Sequence, residues 1–175
     1  TGEIFGPVLL IIILHLPSIR RASMNFLSQI LTPQRTVCRI AEASKERLFE
    51  TIARIFCDDQ QSLPYDGVLD RLIAREKLGS TGMGQGIAIP HCRISHCTKP
   101  LGSLLTLEKA IPFNATDDVP VDLLFVLLVP VHAHQEHLDI LANIAQLISQ
   151  ADICERLRAS RDDRALYEIA CNAVI

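Results

Sequence analysis

The chain has no tryptophan, only two tyrosines and six phenylalanines among 175 residues. With aromatics at 5%, stacking platforms for single-stranded nucleic acid are absent. An excess of positive charge is missing too: 17 Lys+Arg stand against 20 Asp+Glu, a formal net charge of −3. That balance removes the general electrostatic reason to expect binding to nucleic acid or to an anionic membrane. No two cysteines have CxxC spacing, which argues against zinc-ribbon and thioredoxin readings. Cys38, Cys57, Cys92, Cys97, Cys154 and Cys171 are scattered through apolar or helical stretches. A chain of this size needs no covalent staples, so they read as reduced thiols of a cytoplasmic protein. The apolar run PVLLIIILHL at 7–16 falls short of the roughly 20 residues that cross a bilayer. Glu3, rather than a basic residue, precedes it, against the pattern of a signal peptide.

What is present is a folding composition, 49% hydrophobic and 21% charged, in a length that suits one domain. Residues 1–23 read as an extension outside the functional core. An apolar strand or helix that contacts a partner is the alternative for them. Residues 24–175, opening MNFLSQILTPQRTV, form the expected domain.

Within it, TVCRI at 36–40 alternates like a short strand. Ser44 can cap a helix to about Cys57, with Leu48, Ile52, Ile55 and Phe56 on one stripe. A second helix fits 66–77, stopped by Gly79. A glycine-dense turn, GSTGMGQG, leads to a short strand at 87–89. Strands follow at 103–107 and 121–129; the latter, VDLLFVLLV, is apolar on both faces and belongs at the centre of its sheet. A long helix is expected from about His134 to Ser149, with Leu138, Leu141, Ile144, Ala145 and Ile148 inward. Helices at 152–158 and at 162 to about 172 close the chain, the last capped by Asp162 or Asp163. Interleaved strands and helices predict an α/β fold with helices on both faces of the sheet.

The glycine turn first suggests a phosphate loop, because Gly79 and Gly84 have G-x-x-x-x-G spacing. Gln85 and Gly86 then stand where the lysine and hydroxyl of such a loop belong. The order is also reversed, since this turn leaves a helix and enters a strand. Behind it comes His91, at a strand end and aimed by Pro90, whose ring fixes the backbone. An imidazole presented in this way can serve as a nucleophile. A strand-end histidine that is simply hydrogen-bonded fits the same pattern, and spacing alone leaves both readings open.

Three ordered blocks narrow the choice: AREKLGSTGMGQGIAIPH, AIPFNATDDVPVDLLFVLLVP and EHLDILANIAQLISQADICERLRA. Together they resemble the IIA proteins of phosphotransferase systems of the fructose/mannitol type, and within them the nitrogen-regulatory kind. The resemblance runs from about Met24 to Ala170. It implies a three-layer α/β/α domain with a small mixed sheet. It also implies a phosphoryl carrier in which a histidine phosphocarrier protein loads His91, with phosphoenolpyruvate as the ultimate donor.

By the same resemblance Arg75 is the arginine beside the phosphorylated site and His137 the second histidine there. A guanidinium can grip two phosphoryl oxygens at once. Ser80, Thr81 and Gly82 would offer hydroxyl or backbone donors to the same oxygens. Cys92 stands where glycine is more usual, and a redox sensitivity is expected from it. No cofactor and no metal are expected: His96, His132 and His134 match no zinc spacing and read as exposed loop residues. Expected partners are the phosphocarrier and either regulatory target proteins or a IIB component, with neither nucleic acid nor membrane insertion. A regulatory role is favoured, since the wording of the blocks is nearest the nitrogen-regulatory type and no IIB or membrane segment is fused within them. A sugar-specific relay to a IIB component is the alternative.

Overall fold

The computed structural model describes residues 26–173; the extension at 1–23 lies outside the described residues. A short helix α1 (Phe26–Ile30) and a 3-10 turn (Pro33–Arg35) lead into strand β1 (Thr36–Ile40). Helices α2 (Lys45–Asp59) and α3 (Tyr65–Lys77) follow, then strands β2 (Gly82–Gly84), β3 (Ile87–Ala88), β4 (His91–Ile94), β5 (Leu101–Ile111) and β6 (Val121–Pro130). Helices α4 (Gln135–Ile148), α5 (Ala151–Arg158) and α6 (Asp163–Cys171) close the fold.

The sheet is mixed, in the order β1-β5-β6-β3-β2, with β4 also pairing with β6. Strand β6 lies at its centre, antiparallel to β5 and parallel to β3 and β4. Its side chains alternate between two cores. Leu124, Val126 and Leu128 meet Leu48, Ile52, Phe56, Val68 and Leu72 from α2 and α3 on one face. Leu123, Phe125, Leu127 and Val129 meet Ile144, Leu147, Ile153, Leu157 and Leu166 from α4 to α6 on the other. This is the three-layer α/β/α arrangement.

Helices α2 and α6 start at side-chain caps. Ser44 accepts a hydrogen bond from the Arg47 amide and Asp162 one from the Ala165 amide. The inward stripe of α4 differs from expectation: Leu138 is 51% exposed, whereas His137 and Ile140 are buried. Leu141, Ile144, Ala145 and Ile148 remain on or beside the packed face, so the apolar sector is rotated towards His137 in the first turn.

The larger correction concerns the glycine turn. It is a hairpin, with β2 antiparallel to β3. Its bend uses positive φ at Gly84 (94°), Gln85 (54°) and Gly86 (76°), a run that side chains tolerate poorly and glycine freely. The bend is pinned from both sides: Asp117 accepts from the Gln85 amide at 2.7 Å, and Arg158 donates to the Gln85 carbonyl at 2.7 Å. Arg158 also pairs with Asp122 at 2.8 Å.

His91, expected at a strand end, instead opens β4. The register against β6 runs on unchanged from Ile87↔Leu123 and Ala88↔Leu124 to His91↔Leu127 and Cys92↔Leu128. Strands β3 and β4 are therefore one line of chain interrupted at Ile89–Pro90, where proline has no amide to give.

Candidate functional site

His91 sits where that interruption meets the open edge of the sheet. Its Nδ1 lies 2.7 Å from the Ile89 carbonyl oxygen. A carbonyl only accepts, so Nδ1 carries the proton and Nε2 keeps a free lone pair. Burial lowers the proton affinity of the ring; the Ile89 bond opposes this, Arg75 adds to it, and Glu76 opposes it. The net effect is a pKa below the ordinary histidine value, so the imidazole is neutral at neutral pH.

Facing it is His137, in the first turn of α4, with ring centroids 5.4 Å apart and planes at 62°. His137 is 9% exposed, and its Nε2 is buried without a hydrogen-bond partner among the described residues. Burial, followed by the charges of His91, Arg93 and Arg75, pushes its pKa down to about 4. A buried polar atom of this kind calls for a partner. An anion between the two rings would supply one.

Arg75, in the last turn of α3, donates to the Gly79 carbonyl at 2.9 Å. Its charge depresses the proton affinity of both histidines, which places it within electrostatic reach of them. The structure thus brings His91 and His137 together from two separate elements, with the Arg75 charge acting on both. Ser80, Thr81 and Gly82 are engaged within the protein. The Ser80 hydroxyl donates to the Phe113 carbonyl at 2.5 Å and accepts from the Gly82 amide at 3.1 Å. The Thr81 hydroxyl donates to Glu76 at 2.5 Å.

Two features escaped sequence reasoning. Arg93, two residues beyond His91 on β4, donates to His134 Nδ1 at 3.1 Å and helps to depress His137. Strand alternation places it on the same side as His91, and that signal could have found it. Glu76 accepts from the Thr81 amide and hydroxyl and pairs with Lys45 at 2.8 Å. Cys92 is corrected: it is 6% exposed and burial drives its pKa up to about 12, so it stays a shielded thiol rather than a redox-sensitive one. Among the described residues no cluster of three His, Cys, Asp or Glu could hold a metal, and no helix is long and apolar enough to cross a membrane.

Fold and site together define a IIA component of a phosphotransferase system, a class of phosphoryl carriers. The family model "Phosphoenolpyruvate-dependent sugar phosphotransferase system, EIIA 2" matches residues 29–172, and the chain belongs to that family. The nitrogen regulatory protein of Pseudomonas aeruginosa is 47% identical over 143 residues, covering 82% of this chain and 93% of the relative. The crystal structure of nitrogen regulatory protein IIA-Ntr from Neisseria meningitidis superposes with a TM-score of 0.77 at 38% identity, over 82% of this chain and 97% of that one. A fructose-specific EIIA component from Haloferax volcanii is 31% identical over 132 residues, 75% of this chain and 86% of the relative.

Proposed function

We propose that this chain accepts a phosphoryl group on Nε2 of His91 from a histidine phosphocarrier protein and acts mainly as a nitrogen-type regulatory IIA component. The observation that carries the reading is the Nδ1 hydrogen bond to Ile89, which leaves a neutral Nε2 free for attack. The Nε2 lone pair forms the new bond to phosphorus while the bond from phosphorus to the donor's imidazole nitrogen breaks. Nδ1 keeps its proton throughout, so no proton has to leave the site. His137 Nε2–H donates to one phosphoryl oxygen and gains the partner that it lacks. Arg75 turns its guanidinium to two others, and positioning with charge balance does the rest. With Nδ1 still protonated, loading adds about one net negative charge, a phosphoryl dianion on a ring that becomes cationic, and this changes what the surface can bind.

The regulatory reading rests on the relatives: 47% identity to a nitrogen regulatory protein against 31% to a fructose-specific component. Partners in this reading are the phosphocarrier and target proteins that sense the loaded state. The test is intact mass before and after incubation with phosphoenolpyruvate, enzyme I and the phosphocarrier, with acid lability and peptide mapping. One acid-labile phosphoryl group on His91, absent from His91→Ala, is the expected result; loading of a folded His91→Ala protein overturns the assignment. Purified sugar-specific IIB partners separate the two roles. Retention of the phosphoryl group supports the regulator, and rapid discharge onto one of them supports the sugar relay.

A further inference from the structure

Behind His91 runs a continuous line of hydrogen bonds that starts at a half-buried ion pair. Lys45 Nζ donates to Glu76 Oε1 at 2.8 Å and to the Phe113 carbonyl at 2.9 Å, and stands 4.3 Å from the centre of the Phe113 ring. The Glu76 side chain is only 8% exposed. Its Oε2 accepts from the Thr81 amide at 3.0 Å and the Thr81 hydroxyl at 2.5 Å. The Thr81 carbonyl accepts from the Ile89 amide at 3.0 Å. The Ile89 carbonyl then accepts from His91 Nδ1 at 2.7 Å.

We infer that Glu76, held by Lys45, is a positioning residue that fixes the tautomer of His91 through Thr81 and Ile89. The inference deepens the proposed function and rests on it for its kinetic consequence. A carboxylate has only acceptors, so every group around it must donate, and Thr81 is held by both its amide and its hydroxyl. A neutral side chain of the same size could donate as well as accept and would leave Thr81 free to turn. Thr81 is the last point at which the hairpin braces Ile89, because β2 begins one residue later and Ile89 lies in the break between β3 and β4. The Ile89 carbonyl therefore takes its direction from Thr81, and the imidazole proton follows the carbonyl. The negative charge of Glu76 also favours the proton on His91, offsetting part of the opposing influence of Arg75.

The test reads the ring directly, by nitrogen chemical shifts of His91 in the unphosphorylated full chain, labelled at histidine, at neutral pH. The native protein is expected to show His91 almost wholly in the Nδ1–H form. Glu76→Ala is expected to show a mixture of tautomers and, with the phosphocarrier, loading slowed about tenfold in kcat with KM unchanged. Glu76→Gln, which keeps the size and one acceptor, guards against loss of folding and is expected to lie between the two. A native-like tautomer in whichever of these variants folds overturns the inference, as does a native ring protonated on Nε2. Because the tautomer is read without phosphate, a native chain that is never loaded would sink the proposed function while leaving the positioning result standing.

Discussion

A histidine that stays neutral down to about pH 4 alters how the folded chain responds to acid. The unfolded chain protonates His137 near the ordinary histidine value, whereas the folded chain does so only near pH 4. Between those values the unfolded state binds more protons, so stability falls as pH drops through the window. The slope approaches about 1.4 kcal/mol per pH unit for this one group, and His91, shifted the same way, adds to it. Urea unfolding at pH 7 and at pH 4.5 checks this, and His137→Gln should flatten the difference. Arg75→Lys is expected to slow loading roughly tenfold, because an ammonium cannot make the two-pronged contact; stopped-flow loading kinetics measure it. His91, Arg75 and His137 were all legible as candidates, since each lies in a block whose wording is distinctive. Glu76 lies in the same block beside Arg75 but was not, because its partner Lys45 is 31 residues away in the chain and only the fold brings the pair together.

At the scale of elements, the hairpin that delivers His91 depends on one position more than any other. A Cβ on Gly86 would come within 2.9 Å of an Arg158 nitrogen, 3.1 Å of Asp122 and 3.2 Å of the Pro120 carbonyl, at a φ of 76°. Gly86→Ala is therefore expected to cost about 1–3 kcal/mol, read as a lowered thermal midpoint, and to slow loading of His91 by loosening the bend in front of it. Helices α2 and α6 were readable from their caps: Ser44 and Asp162 cap as their residue types suggest. The pairing of β2 with β3 was not, because strand β2 reads GMG and two of its three residues carry no side chain to alternate. Strand β4 was hidden for a different reason. Pro90 ends a strand in any local reading, and only the unbroken register against β6 shows that the line resumes at His91.

For the molecule as a whole, stability is concentrated in β6, whose two faces feed both cores. Phe125, 1% exposed, packs on the side of α4 to α6. Phe125→Ala should destabilise the fold by about 3–5 kcal/mol, measured by denaturant unfolding, while leaving any residual folded fraction able to be loaded. The central place of this strand was plain from its nine uninterrupted near-apolar residues, because only a strand covered on both sides can afford them. The layering followed from it; the extra edge formed by β4 did not.

The hydrogen bond from His91 to Ile89 holds the ring by Nδ1, the nitrogen opposite the one proposed to be loaded. In the proposed carrier, a ring anchored there need not swing when its other nitrogen is loaded or unloaded. In the regulatory reading, a target protein would then tell the two forms apart chiefly by potential and bulk at one spot on the surface.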